Sequence, residues 1–382
     1  MLSAGQPRMR QTEIRGGNRT NRLEEFMEKQ CRGSFTELDG EEFYKIENYD
    51  RMDDFFMTIT SSSDIWNFCW SKGGISAGRK DSNHAVFPYY TADKISDAKF
   101  CTGPYTAIAV SAEKAGQRNG TEIWEPFSDP GPAQSANRRK STERNIYKNS
   151  TGTKVWFEEK KLELGLTFRY GWTSSEKFGI VRCVWIQNDS DTPVTAAVLD
   201  GCRNILPACV TSDFQNANSI LLDAYKKTEM IRDVNLALFS VSSIVTDKAE
   251  PNEGLYANIG WFSTDDRLIL SPDAPEKFAL AVQDGIRSVQ QKMPCPDTVK
   301  GGRPSCFICR TITLNPAGAD GSSDSWMQIF DTEKDASGVA DIARRLDDRK
   351  GLCAETLKDI SDGEERMRSL ISAADGIQRT AD

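Results

Sequence analysis

From Gly73 to Lys94 the chain reads GGISAGRKDSNHAVFPYYTADK. Arg79 supplies a planar fork of N–H donors, Lys80 a compact positive charge, and Asn83 a donor and an acceptor together. His84 is the one histidine of the chain. Phe87, Tyr89 and Tyr90 add flat apolar faces, the tyrosines with a polar edge. A polyhydroxylated ring suits such a set, its hydroxyls meeting the donors and its C–H faces meeting the rings. A turn whose aromatics tuck into a β core has the same composition. The residues alone leave both readings open.

The remaining chemistry-bearing residues are more restricted. Triad hydrolases need a histidine base, so His84 would have to serve alone, and mixed His–Cys zinc sites are close to excluded. Cys306 and Cys309 form a C-x-x-C, and Cys295 precedes them, but a structural zinc wants four ligands. The expectation is ordinary core or loop thiols and no metal site. Glu122 with Glu125, Asp189 with Asp191, and Asp265 with Asp266 are paired acids in sequence. A glycosidase needs two carboxyls about 5 to 9.5 Å apart in space, and sequence spacing does not supply that. GGISAGR lacks the lysine and helix start of a phosphate loop. The sequons at Asn18, Asn119, Asn149 and Asn188 are read as chance, because no secretory leader is recognised.

Which elements would hold these residues? From about Phe43 to Phe330, period-two runs alternate with Gly, Ser and Asn-Asp turns, as a stack of antiparallel strands requires. FFMTIT places Phe55, Met57 and Ile59 on one face and Phe56 with two threonines on the other; SSSD then turns into IWNFCWS, and KGG into ISAGR. Trp156, Trp172, Trp185, Phe157 and Phe178 lie in such runs and are expected in the core. After Asp213, FQNANSILLDAYKKTEM sets Ile220, Leu221, Ala224 and Tyr225 on one side of a helix. Near residue 335 the period changes. Val339, Ile342, Ala343 and Leu346, then Met367, Leu370, Ile371 and Ala374, recur at helical spacing, and Gly376 suits the end of the helix. The fold class is therefore mainly β, an antiparallel sandwich followed by a helical tail. Its expected units are a poorly ordered lead-in (1–42), the sandwich (43–330) and amphipathic helices (331–382).

Composition bounds the partners. The 382 residues carry a net charge of −8, with a pI near 5.1 and 27% charged residues. No segment concentrates the cations that nucleic acid demands, and no apolar run is long enough to span a membrane. The first 22 residues hold five arginines without the amphipathic face of a transit peptide, and ten cysteines without a recognised leader fit reduced thiols. A cytoplasmic location is the resulting expectation.

Three stretches resemble one family. NYDRMDDFFMTITSSSDIWNFCWSKGGISAGRKDSNHAVFPYYTADK (48–94), NILPACVTSDFQNANSILLDAYKKTEMIRDVNLALFSVSSIVTDKAEPNEGLYANIGWF (204–262) and SAADGIQRTAD (372–382) are similar to the N-terminal part of cellobiose-phosphorylase-like inverting glycoside phosphorylases. The first forty residues and the region from about Lys277 to Arg310 fall outside it. The resemblance implies a galactose-mutarotase-like β-supersandwich joined by linker helices to an (α/α)6 barrel. That barrel carries the general acid, and inorganic phosphate is the co-substrate that attacks the anomeric carbon. It implies that this chain is the sandwich and linker without the catalytic residue, with no cofactor of its own. Its partners would be an oligosaccharide or β-glycoside and the barrel, and a homodimer is a further expectation. On this reading Arg79, Lys80, Asn83, His84, Phe87, Tyr89 and Tyr90 form a sugar-binding or barrel-facing loop. Two alternatives stand beside it: a free-standing mutarotase-like enzyme, which typically pairs histidines with a glutamate, and a dimerisation module that binds no sugar.

Overall fold

In the computed structural model, residues 30–38, 40–90, 94, 98–111, 121–128, 141–243 and 254–374 are described. In chain order the strands are β1 (Arg32–Leu38), β2 (Glu41–Glu47), β3 (Phe56–Ile59), β4 (Ile65–Trp70), β5 (Ile75–Arg79), β6 (Ala85–Phe87), β7 (Gly103–Ser111), β8 (Thr121–Trp124), β9 (Thr142–Asn149) and β10 (Val155–Lys161). They continue with β11 (Leu166–Ser175), β12 (Gly179–Asn188), β13 (Val194–Arg203), β14 (Lys226–Ile231), β15 (Leu236–Val241), β16 (Tyr256–Phe262), β17 (Leu268–Ile269), β18 (Thr298–Lys300), β19 (Ser305–Leu314) and β20 (Ser323–Asp335). An eleven-stranded sheet runs β1-β2-β9-β10-β11-β12-β20-β16-β15-β14-β18. Facing it are a five-stranded sheet, β17-β19-β13-β7-β8, and a four-stranded one, β3-β4-β5-β6. The recorded pairings are antiparallel, so the architecture is mainly β, as the alternation predicts.

The core has three parts. Between the sheets, Phe157, Phe168, Tyr170 and Trp172 of the large sheet meet Met57, Ile59, Ile65, Ile75 and Phe87 of the small one, and Ile108, Val198 and Ile308 of the five-stranded one. Behind the five-stranded sheet, Phe278 and Val282 of the helix Ala274–Val282 cover Ala107, Leu199 and Phe307. Behind the large sheet, Val339, Ile342 and Leu346 cover Val181, Trp261 and Ile329. These last residues belong to the tail. Its first helix, Ala336–Arg345, is capped by the Asp335 carboxylate, which accepts the Gly338 N–H at 2.8 Å; such a cap contributes about 1 kcal/mol.

The helix that follows, Arg349–Ala374, has two unlike halves. Arg349, Leu352, Thr356, Asp359 and Ile360 are buried against the sheet. Arg349 ties in through Asp265 at 2.8 Å and through the carbonyls of Phe262 and Val234. Beyond Ile360 the apolar positions Met367, Leu370, Ile371 and Ala374 are half-buried or exposed, and Leu370 is 60% exposed. Gly376 and most of the third resembling stretch lie outside the described residues, as do Asn18, Asn119 and residues 247–253.

Several expectations need correction. The large sheet begins at Arg32, inside the stretch read as a poorly ordered lead-in, because Arg32–Leu38 pairs residue for residue with Glu41–Glu47. At the other end β20 extends to Asp335. The helix expected over FQNANSILLDAYKKTEM is two short helices, Ser212–Ala217 and Ser219–Tyr225, followed by a strand. Leu222 is its buried apolar residue, while Ile220 is 88% exposed. KKTEM joins the sheet because pairing with β15 and β18 buries Lys226, Thr228 and Met230 alternately. Trp172, Phe157 and Phe178 are core residues, whereas Trp156 and Trp185 are only half-buried.

Candidate functional site: an aromatic sheet face and its rim

The small sheet β3–β6 shows why period two matters. On β4, Ile65, Asn67 and Cys69 point into the core while Trp66, Phe68 and Trp70 point out. On β3, Met57 and Ile59 go in and Phe56 goes out. Register then lines up the outward rings: Phe56 pairs with Trp70, Thr58 with Phe68, and Trp66 with Gly78. Ring centroids are 5.5 Å apart for Phe56–Phe68, 5.6 Å for Phe68–Trp66 and 5.7 Å for Trp66–Tyr89. Phe56 is 43% and Tyr89 41% exposed. An unbroken row of partly exposed rings crosses the outer face.

Trp66 is fixed within this row. Its indole N–H is shared between the carbonyls of Arg79 and Asp81, at 3.2 and 3.1 Å. Gly78 is needed beneath it. A Cβ there would lie 2.7 Å from Trp66 Cζ2 and 2.3 Å from the His84 carbonyl oxygen. The ring therefore rests directly on bare backbone, which a side chain at 78 would prevent.

The loop singled out in the sequence forms the rim of this face, and it divides by role. Arg79 is a fastener: its guanidinium donates to Asp331 at 2.6 Å, Asp64 at 2.8 Å and the Glu176 carbonyl at 2.7 Å, clamping β5 to the large sheet. Those carboxylates raise its pKa against the opposing effect of burial. Phe87 is wholly buried, edge-on to Trp172 at 5.9 Å and Phe330 at 5.4 Å. It packs the sandwich and faces no ligand. Lys80 is exposed and left-handed, with φ of 56°. Asn83 is exposed and accepts the Ser212 N–H at 3.1 Å. Tyr90 is half-buried, and burial pushes its hydroxyl up.

His84 lies between two carboxylates, Nδ1 at 2.8 Å from Asp81 and Nε2 at 3.4 Å from Glu333. Glu333 has a left-handed backbone, φ 49°, at the point where β20 runs toward the tail helices. The rim also approaches the long helix. Arg79 and Arg366 both bind Glu176, through its carbonyl and its carboxylate, and Asp359 accepts from Ser175 at 2.6 Å. The rim loop and the tail helix thus meet around Glu176.

Elsewhere the sequence motifs resolve into structure. Cys306 and Cys309 lie three apart on β19, so their side chains point to opposite faces, Cys306 among the inter-sheet core and Cys309 beneath the helices. Burial pushes the Cys309 thiol up to about 12 and that of Cys306 higher still. The described residues contain no metal-binding cluster of His, Cys, Asp and Glu. The acids have structural partners: Glu125 accepts from Tyr105 at 2.6 Å, Asp189 from Gln187 at 2.8 Å, Asp265 meets Arg349 at 2.8 Å and Asp266 meets Arg310 at 2.8 Å. Glu122 lies 4.0 Å from Lys161, and Asp191 is exposed. Asn188 is fully buried and bound to the carbonyls of Thr192 and Asn315, so that sequon is closed. Among the described residues no helix is long and apolar enough to cross a membrane.

Neither a family description nor a curated relative matches this sequence. Among solved structures, a bacterial glucoamylase complexed with acarbose is similar at a TM-score of 0.40 and 6% identity, over 90% of this chain and 40% of that one. The chain thus spans less than half of that enzyme. A likeness of this size carries no argument about activity.

Trp66, Phe68 and Phe56 were missing from the sequence-derived site. The signal was present in IWNFCWS: both phases of a strand cannot be core unless both faces are covered, and both phases here are aromatic or aliphatic.

Proposed function

We propose that this chain is a non-catalytic, carbohydrate-associated β-sandwich of a glycoside-phosphorylase-like enzyme. The observation that carries the reading is the exposed row Phe56–Phe68–Trp66–Tyr89 beside the polar rim of Lys80, Asn83 and His84. Sugar rings stack their C–H faces on such a platform, and the rim offers hydroxyl partners. The rim loop and the tail helix meet at Glu176, through Arg79 and Arg366, and this supports a role next to a catalytic (α/α)6 barrel. In that reading the exposed apolar side of residues 361–374 meets the barrel, and the barrel supplies the general acid for attack by inorganic phosphate. The test is affinity electrophoresis of the chain in gels containing soluble β-glucan, with a parallel assay for sugar 1-phosphate. Retardation without phosphorolysis is the expected result. Release of sugar 1-phosphate by the chain, or mobility unchanged by glucan, overturns the proposal.

One observation favours a second reading. Asp81, His84 and Glu333 place an imidazole between two carboxylates, an arrangement able to move protons at an anomeric centre. Polarimetry of anomer interconversion decides it: a rate that falls to background in His84→Ala supports a mutarotase-type enzyme, and a rate equal to background in both proteins removes it.

A further inference from the structure

A second concavity, of about 400 Å³, opens between the large and five-stranded sheets, lined by Tyr105, Thr106, Phe127, Arg144, Tyr170 and Arg203 among others. Its floor is held from below. Arg182 and Asp200, both wholly buried, form two 2.8 Å hydrogen bonds, and Asp200 also accepts from Thr106 at 2.6 Å and Trp326 at 2.8 Å. Arg182 lies 5.1 Å from the Tyr170 ring centroid, which stiffens that wall. Phe127 keeps a left-handed backbone, φ 61°, a costly state for an aromatic residue. The buried Glu159 carboxylate holds it there, accepting the Phe127 N–H at 2.7 Å together with Arg144 at 2.7 Å and Trp124 at 2.9 Å.

Arg203 is the unusual group. Its guanidinium lies 4.7 Å from the Tyr105 ring centroid, yet it has no hydrogen bond or ion pair with a described residue, and its Nε is buried without a partner. Burial depresses its pKa from the ordinary value. Two other cations of the cleft differ: Lys72 is paired with Asp54 at 2.8 Å and Arg144 with Glu159, while Lys99 Nζ lies over the Phe100 ring. Two carboxylates, Asp50 and Glu125, also line the cleft, and Glu125 is engaged by the Tyr105 hydroxyl at 2.6 Å. A half-buried guanidinium with no direct ion pair, next to hydroxyls and aromatic faces, has hydrogen-bond donors left for an anion.

We propose that this cleft binds a sugar ring bearing one anionic group, a carboxylate or a phosphate monoester, with the anion on Arg203 and the ring against Tyr105 and Phe127. The site is separate from the aromatic face of β3–β6. Isothermal titration of the full chain with glucuronate, glucose 6-phosphate, glucose and inorganic phosphate tests it. Saturable binding of glucuronate or glucose 6-phosphate, at least about tenfold tighter than glucose or phosphate alone, is expected, and the better of the two identifies the anion. Arg203→Met should weaken it by about tenfold or more, and Arg203→Lys by less. Because Arg203→Met removes a half-buried side chain, Phe100→Ala serves as the second variant: Phe100 is 64% exposed on the cleft rim, so its loss should weaken binding several-fold with the melting temperature unchanged. Equal binding of glucose, equal binding of inorganic phosphate, or no binding at all overturns the proposal. The same titrations repeated on Trp66→Ala, in which the aromatic face is disabled, should keep the preference for glucuronate or glucose 6-phosphate over glucose, which separates the cleft from that face.

Discussion

The two faces of the four-stranded sheet are built from the same kinds of residue and behave differently. Inward, Met57, Ile59, Ile65, Ile75 and Phe87 are at most 8% exposed and join the core between the sheets. Outward, Phe56, Phe68, Trp66 and Tyr89 meet one another in tilted and edge-on contacts, and all four stay at least partly exposed. An inward ring is explained by stability, since burying it against Trp172 and Phe330 contributes several kcal/mol. The outward rings need another explanation, because a contiguous apolar patch on a soluble surface is a binding surface by default. The large sheet covers part of its outer face with the tail helices and carries charge on another part, at β9–β11. There Glu158 is buried beneath Arg169, Asn145 and Tyr147, with contacts of 2.8 to 2.9 Å.

The comparison makes graded predictions. Asp200→Ala should have the largest effect, because it strands the buried Arg182; a loss of about 3–5 kcal/mol in urea unfolding is expected. Phe87→Ala should cost about the same, about 3–5 kcal/mol, since it opens a cavity between the sheets. Trp66→Ala, on the opposite face, should cost only about 1 kcal/mol. Equal losses for Phe87→Ala and Trp66→Ala would erase the distinction between the faces.

The charged outer face of the large sheet should announce itself in pH. Burial alone would push the Glu158 carboxyl up, but Arg169 and Asn145 outweigh it and hold it below the usual range. Its folded value thus lies under its unfolded value of about 4.3. The contribution is complete above that value and is lost as pH falls through the folded one. Melting temperature should therefore drop on acidification below about pH 4, and Glu158→Gln should flatten that part of the curve. An unchanged slope in the variant would place the acid sensitivity elsewhere.

Much of this was readable from residues, and the failures have physical causes. Alternation in FFMTIT placed Met57 and Ile59 on one face and Phe56 on the other, and the structure turns the first face inward. The 3.6-residue period placed Val339, Ile342 and Leu346 on the buried side of the tail. What periodicity misses is cover. Leu221 and Ile220 had helical spacing, but only Leu222 finds a surface to bury against. The loop 79–90 was recognisable as chemically rich, yet Arg79 and Phe87 turn out to be structural because their partners Asp331 and Phe330 are some 250 residues away in sequence. Arg203 gave no local signal, because what distinguishes it is a buried Nε without a partner, and that is visible only in three dimensions.

The central claim is that the outer rings of β3–β6 bind saccharide. The direct measurement is a tryptophan-fluorescence and NMR titration of the chain with β-linked gluco-oligosaccharides, beside Trp66→Ala and Phe87→Tyr. Saturable binding in the parent chain, lost at least about tenfold in Trp66→Ala with the fold intact, is the predicted result. Binding that survives unchanged in Trp66→Ala, or no binding in any of the three, would contradict it.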